Sequence, residues 1–261
     1  MSDTVPLTAK QREIRHRETR ILDIARPLIH RGGLSSVNMD AIAREMRCTR
    51  GTIYNHFPNK EDILLALAAR AVDRRIGLFR FAIDSVRAMP GRTHRDACAS
   101  VGIAAEVYVD ELPDDFAIEQ AIRHDSVWEK TSEGRRHILG VCESNCISVI
   151  AELIQAAIQC GDLRVARGTT ASALTQQIVF GLWSLVYGGL LIESTSPSLA
   201  EVGIPHPRQA IRQNCNALLD NLGWEPLYRA RTYNSMVKRI TPALIEQAHV
   251  LTKADPTGES S

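Results

Sequence analysis

The chain has 261 residues, 44% hydrophobic and 23% charged, which is enough for one large or two modest globular domains. Its formal net charge of +1 excludes a uniformly basic nucleic-acid coat, but the charge is unevenly spread. Residues 1–60 hold eleven Lys and Arg against six Asp and Glu, whereas residues 61–261 hold twenty against twenty-four. This asymmetry predicts that only the N-terminal region contacts phosphate.

Cysteine usage and the N-terminus indicate the compartment. Six scattered cysteines are too few for a disulfide scaffold, and the N-terminus lacks the apolar core of a signal peptide. We therefore expect a cytoplasmic protein with reduced thiols. The strongest membrane candidate, residues 168–192, has a strongly apolar part of only about fifteen residues, below the roughly 20 that a spanning helix needs. A buried helix is predicted there, with no membrane contact.

The N-terminal region begins with a polar arm and an amphipathic helix. Residues 1–10 are predicted to be disordered, and apolar residues at helical spacing predict a helix over residues 11–31. Pro27 lies inside this pattern and removes a backbone hydrogen bond, so a kink is expected there. The Gly-Gly pair at 32 and 33 is expected to end the helix.

Two short helical patterns follow, joined by a tight connection. Asn38 can cap the first and Thr49 the second, because each side-chain oxygen can accept a hydrogen bond from a first-turn amide. The second pattern carries small polar, aromatic and basic residues, as a helix that lies in the DNA major groove does. The stretch from Met39 to Lys60 is therefore predicted to be a helix-turn-helix.

The side chains of this second helix suit base recognition. Arg50 can donate two parallel hydrogen bonds to guanine, Asn55 can pair bidentately with adenine, and the Thr52 methyl group can contact thymine. Other polar side chains nearby can hydrogen-bond phosphate oxygens. The predicted DNA-contacting residues are Asn38, Thr49, Arg50, Gly51, Thr52, Tyr54, Asn55, His56 and Lys60.

The same stretch resembles a known family. Residues 42–64 read IAREMRCTRGTIYNHFPNKEDIL, and residues 21–33 before them read ILDIARPLIHRGG. Together they resemble the DNA-binding domain of TetR-family transcriptional regulators. The resemblance is close over residues 11–65 and extends over the remainder only as an all-helical layout.

The resemblance implies specific roles at this end of the chain. Tyr54 and His56 would hold phosphates, and Lys60 would meet the DNA backbone from the start of the fourth helix. Arg50 and Thr52 would face bases. The chain departs from the family at its usual turn glycine, which is replaced by the arginine at position 47. That residue must accept a positive φ or reshape the turn.

The rest of the chain is predicted to be helical, because no alternating β pattern of useful length occurs. Asn59 can cap a long helix that Pro90-Gly91 interrupts. Further helices are predicted over residues 93–112, 113–128 (one helix or two), 132–160, 169–192 and 207–223. The predicted architecture is all-α and TetR-like, with domains at 11–62 (helix-turn-helix), 63–224 (effector-binding and dimerisation), 225–251 (C-terminal helical extension) and 252–261 (disordered tail).

A homodimer is the predicted assembly. The helix at 169–192 is apolar on more faces than one small domain can cover: Leu182 and Leu190 mark one surface, and Ile178 and Trp183 mark another. The family resemblance implies that this helix and the one at 207–223 pack against their dimer mates. A two-fold dimer also matches a palindromic double-stranded DNA operator.

The body is expected to bind a small-molecule effector between its helices, with aromatic and polar anchors. The candidate lining residues are Tyr108, His124, Trp128, Trp183 and Tyr187. Cys142 and Cys146 share one helical face, with His137 on the same element, so metal or thiol-redox sensing is an alternative. The cysteines also fall on the apolar stripe of that helix, which favours simple packing.

Neither a cofactor nor an enzyme activity is predicted, because there is no nucleophile elbow, phosphate-binding glycine loop or paired Cys-x-x-Cys. The favoured function is a transcriptional regulator, in particular a repressor that an effector releases from its operator. From a different class, the alternative is a helical ligand-binding protein or enzyme with a non-functional DNA-binding region.

Overall fold

The computed structural model describes residues 8–196 and 198–253, and within them the chain is helical without strands. This confirms the predicted all-α class. Besides a short 3-10 helix at Leu34–Ser36, the described helices are α1 (Ala9–Gly32), α2 (Met39–Met46), α3 (Arg50–Tyr54), α4 (Lys60–Arg87), α5 (His94–Glu111), α6 (Pro113–Ala121), α7 (Asp125–Trp128), α8 (Glu133–Cys160), α9 (Ala171–Thr195), α10 (Pro207–Asn221) and α11 (Ala230–Lys253).

Helix α1 starts earlier than predicted because of a local capping box. The Thr8 hydroxyl accepts a hydrogen bond from the Gln11 amide, and the Gln11 side chain accepts one from the Thr8 amide. Pro27 lies inside α1 without ending it. The helix ends at Gly33, as predicted, where φ is 70°. Predictions for residues 1–7 lie outside the described part of the chain.

The chain forms two compact units. The head unit comprises residues 8–72, 113–142 and 251–253, and the body unit comprises residues 73–112 and 143–250. The helix-turn-helix is thus part of a larger unit than residues 11–62. Those predicted limits stay a prediction, because compactness does not by itself show which segment folds alone.

Buried side chains and long-range polar contacts hold the head unit together. Ile42, Ile53 and Phe57 are fully buried beneath the helix-turn-helix. The Arg26 Nε on α1 donates to Asp115 Oδ1 on α6 at 3.0 Å, and that carboxylate is fully buried. These contacts make α6, predicted from sequence to belong to the effector domain, part of the head unit.

In the body unit, α9 and α10 pack closely through glycines. A Cβ on Gly181 would lie 2.8 Å from Leu218 Cδ2, and one on Gly189 would lie 2.5 Å from Ile211 Cγ1. Any larger residue at either glycine would therefore require Leu218 or Ile211 to move.

Ion pairs link α10 to its neighbours in the body unit. Arg208 donates to Glu193 at the end of α9 and to Asp110 on α5. The hydrogen bond to Asp110 raises the pKa of the Arg208 guanidinium, so the charge persists at any physiological pH. Arg212 pairs with the buried Glu106 at 2.7 Å.

The C-terminal extension is a helix, as predicted, and it is attached to the body by a buried aromatic anchor. Trp224 is fully buried and forms an isolated antiparallel bridge with Leu163. Helix α11 continues through Thr252 and Lys253, so the predicted disorder is wrong at these two positions. The remainder of the predicted tail, residues 254–261, lies outside the described part of the chain.

Helix α9 buries one face and exposes another. Ile178 is fully buried on the same face as Leu182, so its predicted place on the second surface is wrong. By length and composition α8 and α9 could each cross a membrane. Of the apolar 18-residue stretch of each helix, only 28% is buried within the chain in α8 and 17% in α9. The exposed face of α9 carries Phe180, 67% exposed, and Trp183.

Candidate DNA-binding surface

The turn between α2 and α3 is built around Arg47. Its φ of 54° and ψ of 46° are left-handed, and its amide donates to the carbonyls of Ala43 and Arg44 at the end of α2. The following amide, that of Cys48, donates to the Ala43 carbonyl at 3.0 Å. The turn keeps its shape without the family's glycine, and the arginine bears the conformational cost, which is on the order of 1–2 kcal/mol.

Helix α3 is anchored from beneath and open above. Ile53 is fully buried, and the Thr49 hydroxyl caps the helix by accepting from the Thr52 amide at 3.3 Å. Arg50 and Tyr54 remain exposed at the two ends of the helix. A short helix with one buried face and one exposed polar face is what major-groove docking requires.

A basic depression lies between α2 and α3, with a volume of about 730 Å³. Its lining residues come from both helices and the turn: Asn38, Asp40, Ala43, Arg44, Arg47, Cys48 and Arg50. Three of them are exposed arginines, which we call the basic rim (Arg44, Arg47 and Arg50). The sequence-based set included Arg50 but missed the other two, although their spacing of three residues was a visible signal.

Arg50 is held by an acidic neighbour. Its Nε lies 2.6 Å from Asp40 Oδ1, and both side chains are more than half exposed. A solvent-exposed pair of this kind contributes roughly 0–1 kcal/mol. Arg50 can therefore exchange Asp40 for a base edge or a phosphate at little cost.

Two of the predicted contact residues are used to hold the local fold. The Asn38 side chain accepts from the Ala41 amide at 2.8 Å and donates to the Ser36 carbonyl at 3.2 Å. The Thr49 hydroxyl is occupied by its cap of α3. Both residues position the helix-turn-helix, and their caps confirm the predicted helix starts.

His56 differs from the expectation of a phosphate contact. Its side chain is only 9% exposed, and its Nδ1 lies 4.0 Å from a Glu18 carboxylate oxygen on α1. The same Glu18 pairs with Arg135 at 2.8 Å, and the Arg135 guanidinium lies over the Phe57 ring. In this structure His56 belongs to the internal packing of the head unit.

The start of α4 supplies a further candidate phosphate site. Asn59 caps the helix by accepting from the Asp62 amide at 2.8 Å, which confirms its predicted role. Lys60, the first residue of α4, is exposed. The positive end of the helix dipole and the ammonium group act in the same direction there, and both favour an anion.

The five candidate effector residues do not lie in one compact unit. His124 and Trp128 lie in the head unit, where both are exposed and the His124 ring accepts from the Ser126 amide to cap α7. Tyr108 is buried in the body unit, and Trp183 and Tyr187 lie along α9 with ring centroids 6.5 Å apart. A shared effector pocket for all five stays a prediction.

The candidate metal ligands of α8 differ in how far each is exposed to solvent. His137 is exposed, Cys142 is half-buried and Cys146 is buried. Within the described residues, the three-ligand group that lies close enough to hold a metal ion consists of His94, Cys160 and Asp162 instead.

Comparison with known proteins supports the assignment of the N-terminal region. Residues 21–67 match the family model of bacterial regulatory proteins of the tetR family. The chain is 33% identical over 76 residues to the HTH-type transcriptional regulator UidR of Escherichia coli, covering 29% of this chain and 39% of UidR. It is 37% identical over 60 residues to the HTH-type transcriptional repressor KstR of Rhodococcus jostii, covering 23% of this chain and 28% of KstR.

Solved structures extend the likeness beyond the helix-turn-helix as a likeness of fold. A tetR-family regulatory protein from Rhodococcus RHA1 aligns with a TM-score of 0.51 at 17% identity, over 79% of this chain and 97% of its own. A protein from Saccharomonospora viridis, solved in complex with choline, aligns with a TM-score of 0.53 at 22% identity, over 81% and 99%. The N-terminal region, residues 21–67, therefore carries the DNA-binding domain of tetR-family bacterial regulatory proteins, and the solved structures show that the helices beyond it share the fold of that family's members.

Proposed function

We propose that the chain is a homodimeric, cytoplasmic transcriptional regulator, and specifically a repressor that leaves a palindromic operator when a small molecule binds the body. The observation that carries DNA binding is the exposed basic rim beside the open face of α3. Guanidinium groups at such a position attract the phosphate backbone, while the helix presents side chains to bases. The relatives of the N-terminal region, UidR and KstR, are named as transcriptional regulators.

The contacts divide by chemistry. Arg50, in α3, and Asn55, directly after it, are both exposed. The paired donors of the arginine can recognise guanine, and the donor and acceptor of the asparagine can recognise adenine. Arg44 and Arg47 sit on the rim, where a guanidinium meets phosphate without reading sequence. Lys60, exposed at the start of α4, adds a further phosphate contact.

Dimerisation is proposed through the exposed face of α9, with α10 beside it. Phe180 and Trp183 meet edge to face at 6.4 Å between ring centroids, and Tyr187 continues the row one turn later. We call these three residues the aromatic row. An apolar row of this kind on a helix that the chain itself buries poorly is suited to a second copy of the same helix. The same contact would account for the hydropathy of α9 without a membrane.

Release by an effector requires only modest coupling. The ligand would need to stabilise, by about 1–3 kcal/mol, a body conformation in which the two head units are wrongly spaced for the operator. That preference would change operator affinity by 5- to 150-fold. A small organic effector is proposed by analogy of fold with the Saccharomonospora viridis protein, which was solved with choline.

Burial makes two other cysteines of the body unit, Cys98 and Cys215, unsuited to thiol-redox sensing, while sensing through Cys142 and Cys146 stays the alternative. Burial raises the pKa of the Cys98 thiol to about 12 and that of Cys215 to about 12. At neutral pH both therefore stay protonated and poorly nucleophilic.

An enzyme with a vestigial DNA-binding region would have no need of the solvent-exposed basic rim.

The proposal is tested by two arginines from the same rim. In a gel-shift titration with upstream DNA, Arg50→Ala is expected to lose about 1–3 kcal/mol of discrimination at one base pair, because its paired donors read one guanine. Arg44→Ala is expected to weaken binding to all DNA sequences alike, because it removes one phosphate contact. For the same reason it should lower the slope of log affinity against log salt concentration (the salt slope) by about one.

Arg167→Ala, an exposed arginine of the body unit, is the control and should bind as the parent protein does. Absence of salt-dependent binding in the parent protein, or equal affinity of all three variants and the parent, would contradict DNA binding by this surface.

A second test separates the conformation of Arg47 from its charge. Arg47→Gly is expected to leave the free energy of unfolding unchanged or to raise it by up to about 1 kcal/mol, because glycine adopts the left-handed turn without a Cβ clash but gains freedom when unfolded. The same change should reduce operator affinity and the salt slope. Urea unfolding and gel shifts measure the two effects.

Arg47→Ala is the matched control for this test. It should lose the same DNA affinity without any gain in stability, since alanine retains the Cβ. A glycine variant that binds as tightly as the parent protein, with the same salt slope, would show that Arg47 does not contact DNA.

A further inference from the structure

Three side chains with metal-binding chemistry meet in the body unit. His94 is the first residue of α5, Cys160 is the last residue of α8, and Asp162 follows it after one glycine. Their candidate ligand atoms all lie within 4.8 Å of one another. We call these residues the His-Cys-Asp cluster.

The contacts within the cluster converge on one nitrogen. Asp162 Oδ2 lies 2.8 Å from His94 Nδ1, and Cys160 Sγ lies 3.4 Å from the same Nδ1. A Cys-His-Asp relay for nucleophilic catalysis needs the carboxylate and the thiol on opposite ring nitrogens. Convergence on Nδ1 does not fit a relay, whereas three ligand atoms within 4.8 Å of one another can share one cation.

The spacing is close to that of a tetrahedral site. Bonds of about 2.0–2.3 Å to zinc separate neighbouring ligand atoms by roughly 3.4–3.6 Å. The sulfur-to-nitrogen distance of 3.4 Å already has this value. The nitrogen and carboxylate oxygen, now in hydrogen-bond contact, would need to separate by less than about 1 Å once a cation replaced the shared proton. Side-chain rotation alone can supply that shift.

The backbone around the cluster is well held. The Thr93 hydroxyl and the Asp96 side chain form a capping box that sets the start of α5. Gly161 turns the chain with a φ of 87°, and the Asp162 carbonyl accepts from the Glu225 amide at 2.8 Å. A ligand set on such supports loses little freedom when it binds a cation.

Charge and position favour a divalent cation. A thiolate and a carboxylate would together offer two negative charges beside a neutral imidazole. Cys160 also ends α8, where the negative end of the helix dipole favours positive charge. A mixed set of sulfur, nitrogen and oxygen ligands suits zinc and cobalt, whereas magnesium and calcium prefer oxygen alone.

We propose that His94, Cys160 and Asp162 bind one zinc-class divalent cation per chain, with a fourth coordination position open to water. The bound cation would join the start of α5 to the end of α8. It would lie next to Leu163, whose backbone bridges to Trp224, ahead of α11. This site is distinct from the sequence-based candidates on α8, and its existence does not depend on DNA binding.

The full-length protein, kept reduced with a phosphine, is titrated with Co²⁺ and followed by absorption. One equivalent of Co²⁺ should produce a near-ultraviolet thiolate-to-cobalt charge-transfer band and tetrahedral ligand-field bands. Added Zn²⁺ should displace the Co²⁺ and remove these bands. Cys160→Ser should abolish the charge-transfer band, and His94→Gln and Asp162→Asn should each weaken cobalt binding at least about 10-fold, because each removes a ligand. Circular dichroism of each variant verifies that it is folded.

Cys142→Ser is the matched cysteine control and should keep the parent spectrum and affinity. Three results would overturn the proposal: no stoichiometric cobalt binding by the parent protein, a charge-transfer band that survives Cys160→Ser, or a band that is lost in Cys142→Ser. The last would instead assign binding to the predicted pair on α8. None of these measurements uses DNA, so their outcome is separate from that of the gel shifts.

Discussion

Replacing Phe180 with glutamate is expected to convert the proposed homodimer to monomers and to weaken operator binding by at least about 100-fold, or about 2.7 kcal/mol. Phe180 is 67% exposed in the single chain and sits in the aromatic row of α9. A carboxylate buried there without a partner costs several kcal/mol in each copy of a two-fold interface. In the proposed dimer two head units bind one operator, so a monomer would lose half of the DNA contacts.

The matched control for this prediction is Val202→Glu. Val202 is 71% exposed, comparable with Phe180, but lies in the segment between α9 and α10. It should stay dimeric and bind DNA normally. Sedimentation velocity measures the assembly and a gel shift measures the binding. If Phe180→Glu stays dimeric with full operator affinity, the interface lies elsewhere.

Trp224→Ala is expected to lower the free energy of unfolding by about 3–5 kcal/mol, because it removes the largest fully buried side chain of the chain's described part and leaves a cavity. The indole Nε1 is buried with no hydrogen-bond partner among the described residues. Trp224→Phe removes that unsatisfied donor while keeping most of the apolar volume, so its loss should be much smaller, about 1–2 kcal/mol.

Urea unfolding at one fixed chain concentration measures both Trp224 variants, since dimer dissociation makes stability concentration-dependent. Trp128→Ala is the control, because the Trp128 side chain is 42% exposed. This variant should lose less than about 1 kcal/mol of the free energy of unfolding. Equal losses at the two tryptophans would show that Trp224 is not an anchor of the body unit.

These two predictions depend on features of different kinds. The aromatic row follows helical spacing along one element, so part of it, Trp183 and Tyr187, was accessible from sequence. Phe180 was not singled out, because periodicity alone does not say which face of an apolar helix its own chain covers. The burial of Ile178 reversed its predicted face for the same reason.

Local chemistry was predicted most accurately. Asn38, Thr49 and Asn59 cap the helices they were expected to cap, and Arg47 adopts the left-handed conformation that its place in the turn requires. Each of these outcomes depends on a few neighbouring residues. The capping box of Thr8 was overlooked, although its Thr-x-x-Gln spacing was visible.

By itself, the sequence determined the helical class, several helix caps, the helix-turn-helix and its family resemblance, because caps, turn residues and hydrophobic spacing act over a few residues. Only the tertiary structure decided that α6 belongs to the head unit, that His56 faces Glu18, and that His94 meets Cys160 across 66 positions of sequence. Such contacts depend on which helices become neighbours. Packing of whole faces sets that choice, and no short stretch of sequence encodes it.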